Sequence, residues 1–179
     1  MWIINEMRRT TQEVFYQVMS QSKSQNVVIL GCGRVGSTLA RQLYLDGNEI
    51  TVVDITKDSF RRLGPKFKGH KIVGNGLDQD TLRKAGVGSA DTFIAVTQGD
   101  NSNIMAAQLA QEVFKTKRVI ARIYDPIRSQ AYRDMGITTL CTTTVAANMM
   151  RQIVLSGPET PEWQDKLSQW DNDYLDLIG

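Results

Sequence analysis

The stretch VVILGCGRVGSTLA, Val27 to Ala40, constrains this chain more than any other. Four aliphatic residues run straight into a turn with glycine at 31, 33 and 36, and a small-residue helical pattern follows. GxGxxG between a strand and a helix is a phosphate-binding turn. Gly31 allows the sharp bend, Gly33 leaves room for a pyrophosphate against the backbone, and Gly36 lets the helix lie close to the sheet. The helix N-terminus then offers unpaired N–H groups and partial positive charge to an anion. Asp54 ends the next apolar run, ITVVD, where a carboxylate can accept hydrogen bonds from a ribose diol. Its charge would repel a 2′-phosphate, so an adenosine with a free ribose is expected. The alternative is that Asp54 caps a helix beginning near Lys57. Ser37 stands where a Walker A loop has its lysine, which disfavours P-loop ATP hydrolysis.

The surrounding pattern predicts an α/β fold, a doubly wound parallel sheet of Rossmann type. Strand candidates are VVIL (27–30), ITVV (50–53), KIV (71–73), TFIAV (92–96), VIARI (119–123) and ITTL (137–140). Such continuous apolar runs suit parallel strands covered on both faces. Helical stretches fall between them at 35–46, 57–64, 79–85, 101–114, 126–134 and 143–155. This predicts one domain over 26–155, an N-terminal helical arm and linker over 1–25, and an amphipathic tail over 156–179. The arm carries Met7, Val14, Phe15, Val18 and Met19 on one helical face. The tail carries Trp163, Leu167, Trp170, Tyr174 and Leu177 at spacings of four and three, opposite an acidic face. Both arms either cover the domain's own surface or dock on another chain.

The formal net charge of +2 gives no argument for nucleic acid or an anionic membrane. Two cysteines, Cys32 and Cys141, are too few for a disulfide framework, which favours a reducing compartment. No apolar run approaches the roughly 18 residues of a membrane span, and MWIINEMRRT is not a secretion signal. The expectation is a cytoplasmic chain. A nicotinamide dehydrogenase needs a proton-transfer group beside its cofactor. The one histidine, His70, falls at a sheet edge, and no tyrosine is followed four residues later by lysine. Cys32 would face phosphate rather than substrate. No catalytic residue and no metal ligand set is expected, and the pattern reads as a sensor rather than an enzyme.

The ordered motifs resemble the nucleotide-binding domain of the Trk/Ktr family of potassium-transport regulators, the RCK (KTN, TrkA-N) domain. GCGRVG is similar to that family's glycine loop, VVDITKD to its ribose-binding strand end, and GNGLDQDTLRKAGVGSAD to its third-strand segment. AVTQGDNSNIMAAQLA resembles its Thr-x-x-Asp-x-x-Asn stretch and ARIYDP its fifth strand. The resemblance implies an adenine-nucleotide ligand (ATP or ADP, NAD or NADH, with AMP also open). Gly31, Gly33, Arg34, Val35 and Gly36 would hold phosphates, Arg34 neutralising those beyond the first. Asp54 would hold the ribose, with Ile55 and Lys57 beside it. Asn75, Gly76 and Leu77 would border the adenine, and Thr97, Gln98 and Arg122 the far side. Asn75 departs from the aspartate the family often has there, and 156–179 is too short for the C-terminal lobe of many members.

The resemblance further implies a homodimer or higher ring that regulates a membrane potassium uptake subunit from the inner face of the membrane, nucleotide occupancy changing its shape. The helix opened by TTTVAANMMRQIV, with Val145, Met149, Met150, Ile153 and Val154 on one face, would cross to a second subunit; packing on its own sheet is the alternative. Other readings are the same domain in a potassium efflux antiporter or channel, and a small NAD-dependent oxidoreductase.

Overall fold

The computed structural model describes residues 24–156 together with Asp165 and Ser168. The N-terminal arm and nearly all of the tail lie outside the described residues.

Six strands form one fully parallel sheet: β1 Asn26–Leu30, β2 Glu49–Asp54, β3 His70–Val73, β4 Thr92–Ala95, β5 Arg118–Ile123 and β6 Thr138–Cys141. Their order is β3-β2-β1-β4-β5-β6. The chain therefore works outward in one direction from β1, then returns to the other side through β4. Between β1 and β4 lies the switch point, where such sheets open a crevice at the strands' carboxyl ends. The helices are α1 Arg34–Leu45, α2 Gln79–Lys84, α3 Asp100–Gln108, α4 Pro126–Asp134 and α5 Thr142–Ser156.

Alternation along the strands divides the core into two layers. Val27, Ile29, Ile50 and Val52 pack on one face against Ala40 of α1 and against Leu63 and Phe67 of the β2–β3 connection. Val28, Leu30, Phe93 and Ala121 pack on the other against Leu82, Ile104, Ala107 and Ala110. Both faces are covered, as the unbroken apolar strands require.

Every expected strand is present within one residue of its ends. The segment expected as a helix over 57–64 is a 3₁₀ helix, Lys57–Leu63. Phe60 and Leu63 are three residues apart, a spacing that eclipses on a three-residue turn, and both face the sheet. Gly64, at φ 70°, ends it. The helix expected over 101–114 is α3 followed by a π-turn at Leu109–Val113. Lys115, at φ 56°, then brings the chain to the buried Thr116. Its hydroxyl donates to Val87 O at 2.8 Å.

Candidate functional site

β1 delivers the chain to Gly31, whose φ of 106° only glycine adopts without strain. A Cβ at Gly31 would also lie 3.0 Å from Thr97 N, so the loop rests directly on the end of β4. A Cβ at Gly36 would sit 1.9 Å from Gly31 O. Gly36 is thus what allows the first turn of α1 to close on the loop beneath it. Around Gly33 a Cβ would meet nothing within 4 Å. Gly33 is exposed and is the N-cap of α1, with no side-chain cap bond and no acid in the first turn. By contrast, Asp78 and Asp125 cap α2 and α4. The positive end of α1 is left to a ligand or to water.

The turn opens on a cleft of about 880 Å³ built from the carboxyl ends of all six strands. Gly31, Gly33, Arg34 and Val35 form the floor, and Asp54 and Ile55 stand on the β2 side. Asn75, Gly76 and Leu77 follow β3, and Thr97, Gln98 and Arg122 close the β4–β5 side. Gly36 and Lys57 do not line it. Gly36 is buried beneath the loop, and Lys57 is exposed at the start of the 3₁₀ segment. Gly36 therefore shapes the loop from beneath, where a Cβ would strike Gly31 O. His70 sits on the exposed edge strand, outside the cleft.

Asp54 does more than end a strand. One carboxylate oxygen accepts from Cys32 N–H at 2.7 Å and the other from Thr56 N–H at 2.8 Å. The first bond ties the glycine loop to β2. The second makes an Asx turn two residues on. Cys32 is fully buried beneath them, its thiol donating to Ser59 O at 3.3 Å. Burial, then the neighbouring Asp54 carboxylate, pushes that thiol up to about 11, so it is an inert filler at neutral pH. Gly76 fits directly over β1, where a Cβ would lie 2.2 Å from Leu30 Cδ1. Asn75 accepts Leu77 N–H at 3.0 Å and turns the chain into the cleft wall.

The far side is more tightly built. Arg122 is 7% exposed, and its guanidinium donates to Thr97 O at 2.6 Å. It also lies 4.4 Å from the Tyr124 ring centroid, a cation–π contact. Its Nε has no partner, and no carboxylate pairs with it among the described residues. A buried guanidinium without an anion is costly unless something satisfies it, and this one borders the cleft. Arg34, in the floor of the cleft, is exposed and has no ion pair among the described residues.

Sequence reasoning missed Thr56, Ser59, Arg62, Ser102, Tyr124 and Thr142, all of which line the cleft. Tyr124 and Thr142 directly follow strands, and that position is the signal that could have found them. Ser59 and Arg62 arrive only because the 3₁₀ segment folds back beside Asp54, which no spacing announces.

A doubly wound sheet in this order, with an uncapped glycine turn and an acid ending β2, defines a Rossmann-type nucleotide-binding domain as a class. The family model of the TrkA-N domain matches residues 27–143, and the chain belongs to that family. It is 50% identical over 141 residues to the Trk system potassium uptake protein TrkA of Streptomyces coelicolor, covering 78% of this chain and 63% of that one. A TrkA homolog of Methanothermobacter thermautotrophicus is 35% identical over 111 residues, 62% of this chain and 51% of that one. The chain thus spans less than two thirds of the length of either relative. Among solved structures, the TrkA-N domain of the Escherichia coli inner membrane protein YbaL superposes with a TM-score of 0.65 at 17% identity, over 73% of this chain and 97% of that one. The Shewanella denitrificans Kef C-terminal domain in its AMP-bound form gives 0.62 at 19%, over 84% and 94%. The GsuK channel bound to NAD gives 0.56 at 20%, over 67% and 22%. These likenesses establish the fold. No helix among the described residues is long and apolar enough to cross a membrane.

Proposed function

We propose that the cleft binds an adenine nucleotide with a free ribose, and that its occupancy regulates the membrane subunit of a potassium uptake system. The observation that carries this reading is the pairing of an uncapped α1 N-terminus, open above Gly33, with an Asp54 carboxylate already anchored by Cys32 N–H across the same cleft. The helix end suits a phosphate. The carboxylate keeps lone pairs for ribose hydroxyls, because each of its oxygens accepts one backbone bond. Val35, Ile55 and Leu77 supply apolar wall for the base. Arg34 and Arg122 flank the cleft where phosphates beyond the first, or a second nucleotide half, would extend. The relatives named for potassium uptake support the choice of system, and the AMP- and NAD-bound neighbours support the ligand class. The chain would act from the cytoplasmic side, attached to the membrane through its partner, as a homodimer or larger ring.

Regulation of this kind asks for no catalytic group. A ligand shifts an equilibrium by as much as it prefers one state over another. Calorimetric titration of nucleotide-free protein with ATP, ADP, AMP, NAD and NADH tests the binding. Loss of a charge-assisted hydrogen bond costs about 1.5–3 kcal/mol, so Asp54→Ala should weaken the tightest ligand tenfold or more. If ATP or ADP binds tightest and Arg34→Ala hurts ATP most, the cleft counts phosphates. If NAD or NADH binds tightest and Arg34→Ala is silent, it reads redox state. Affinities unchanged by Asp54→Ala would remove the assignment of the ribose end.

A further inference from the structure

Asn103 does not touch the cleft, yet it is bonded to more of the cleft's far wall than any residue lining it. It occupies the fourth position of α3 and is fully buried. Its Oδ1 accepts from Thr97 N–H at 2.8 Å and from the Thr97 hydroxyl at 2.7 Å. Its Nδ2 donates to Thr97 O at 3.0 Å and to Arg122 O at 2.9 Å. One planar amide therefore fixes the segment leaving β4 and the strand β5 against each other. Thr97 O is shared, since the Arg122 guanidinium donates to it as well. The Arg122 side chain leans on an atom that Asn103 holds in place.

Only a group with an acceptor on one side and two donors on the other satisfies this station. Aspartate would set a carboxylate oxygen against two carbonyl oxygens, and would offer the Arg122 guanidinium a resident anion. Alanine would leave Thr97 N–H without its acceptor. Neither change reaches Asp54, at the end of β2, or Asn75 and Leu77, which follow β3, across the switch point.

We propose that Asn103 is a positioning residue for the Thr97–Arg122 wall, setting how tightly the cleft grips the phosphate end of its ligand while leaving the adenosine end untouched. The inference rests on the reading of the cleft as an adenine-nucleotide site. Its signature is a dependence on ligand length. Asn103→Asp should weaken ATP about tenfold or more and AMP less than about threefold, as the lost positioning acts only beyond the first phosphate. In a double-mutant cycle, Asn103→Ala should weaken ATP strongly in the wild-type background and less than about twofold where Arg122 is already alanine.

Calorimetric titration of adenosine, AMP, ADP and ATP into the full chain and these variants decides the matter. Equal losses for all four ligands, or effects of Asn103→Ala and Arg122→Ala that simply add, would overturn the proposal and leave the nucleotide reading standing. Wild-type protein that binds none of the four overturns the proposal, and if it binds neither NAD nor NADH it overturns the nucleotide reading as well. Thr97→Val carries the same test if the Asn103 variants do not fold, because it removes one hydroxyl and leaves the amide in place. It should lower the ATP-to-AMP affinity ratio about two- to fivefold with little change in melting temperature. A ratio equal to that of the wild type would count against the proposal.

Discussion

A methyl group added to Gly33 or to Gly36 meets opposite fates, although the two glycines share one turn. At Gly36 it would strike Gly31 O at 1.9 Å, so α1 must shift from the loop. Overpacking of this order costs about 3 kcal/mol, and Gly36→Ala should lower the melting temperature by about 10 °C. At Gly33 the methyl meets only open space. Gly33→Ala should therefore melt with the wild type while losing nucleotide affinity, since the methyl occupies the approach to the α1 N-terminus. Thermal melts and titrations of the two variants give opposite patterns if fold and site are separated in this way. Cys32 supplies a pH dependence. Its thiol pKa is raised in the fold from an ordinary 9.0 to about 11, through burial and then Asp54. Below pH 9 the thiol is neutral in both states and its stabilisation is complete. Between pH 9 and 11 the unfolded chain sheds the proton and the folded chain keeps it, so stability falls with rising pH. Urea midpoints should show the wild type losing about 2 kcal/mol across that window relative to Cys32→Ala. Parallel curves for the two proteins would place the charged thiol somewhere less costly.

At the scale of elements, the sequence makes the strands and the loop legible and leaves much of the cleft wall illegible. Val27–Leu30 and Val119–Ile123 announce themselves because buried parallel strands need unbroken aliphatic runs. The acid at 54 announces the ribose end because it stands where β2 stops. The 3₁₀ segment is another matter. Lys57–Leu63 has helical composition, and only the Phe60–Leu63 spacing and Gly64 hint that it winds more tightly. That tighter winding is what carries Ser59 and Arg62 to the cleft. Asn103 was visible as part of a motif, but a hydrogen-bonding amide reveals its partners only once β4, β5 and α3 are assembled. Caps are more local. Asp78 accepts from the Thr81 hydroxyl at 2.8 Å and from Thr81 N–H at 3.0 Å at the start of α2. These bonds, the hydroxyl's first, hold its carboxyl below the ordinary range. Stabilisation from a depressed carboxylate is present above its unfolded pKa and lost as pH falls through the folded one. Asp78→Ala should thus be less stable than the wild type at pH 7, and the gap should narrow as pH falls below the ordinary aspartate range. A gap that persists undiminished in acid would show that the side chain's shape, not its charge, caps the helix.

For the whole molecule, the unresolved balance is on α5. It leaves the sheet after β6 and presents Val145, Met150, Val154 and Leu155 to solvent, Val154 at 77% exposed. The alternative to a helix that crosses to a second subunit, packing on its own sheet, is not favoured among the described residues, since Val145, Met150 and Val154 of its apolar face are exposed. Leu140 on β6, Ile127 on α4 and Met135 just after α4 are exposed as well. An apolar helix face left uncovered suits an interface, and a stable one buries about 800 Å² per partner. Two occupants are on offer: a second copy of the chain, or the flanking segments 1–23 and 157–179. They separate by mass and by stability. If a second copy covers the face, sedimentation at micromolar concentration should give at least a dimer. Met150→Glu combined with Val154→Glu, which buries two unpaired charges in that interface, should then weaken association about a hundredfold or more. The melting temperature of the separated protomer should stay close to that of the wild type at high dilution. If the flanking segments cover it instead, the wild type sediments as a monomer and the same double variant lowers its melting temperature without changing its mass. Only the first outcome suits a regulator whose α5 links subunits, because a nucleotide bound at one cleft can reach another protomer only through a surface that the two share.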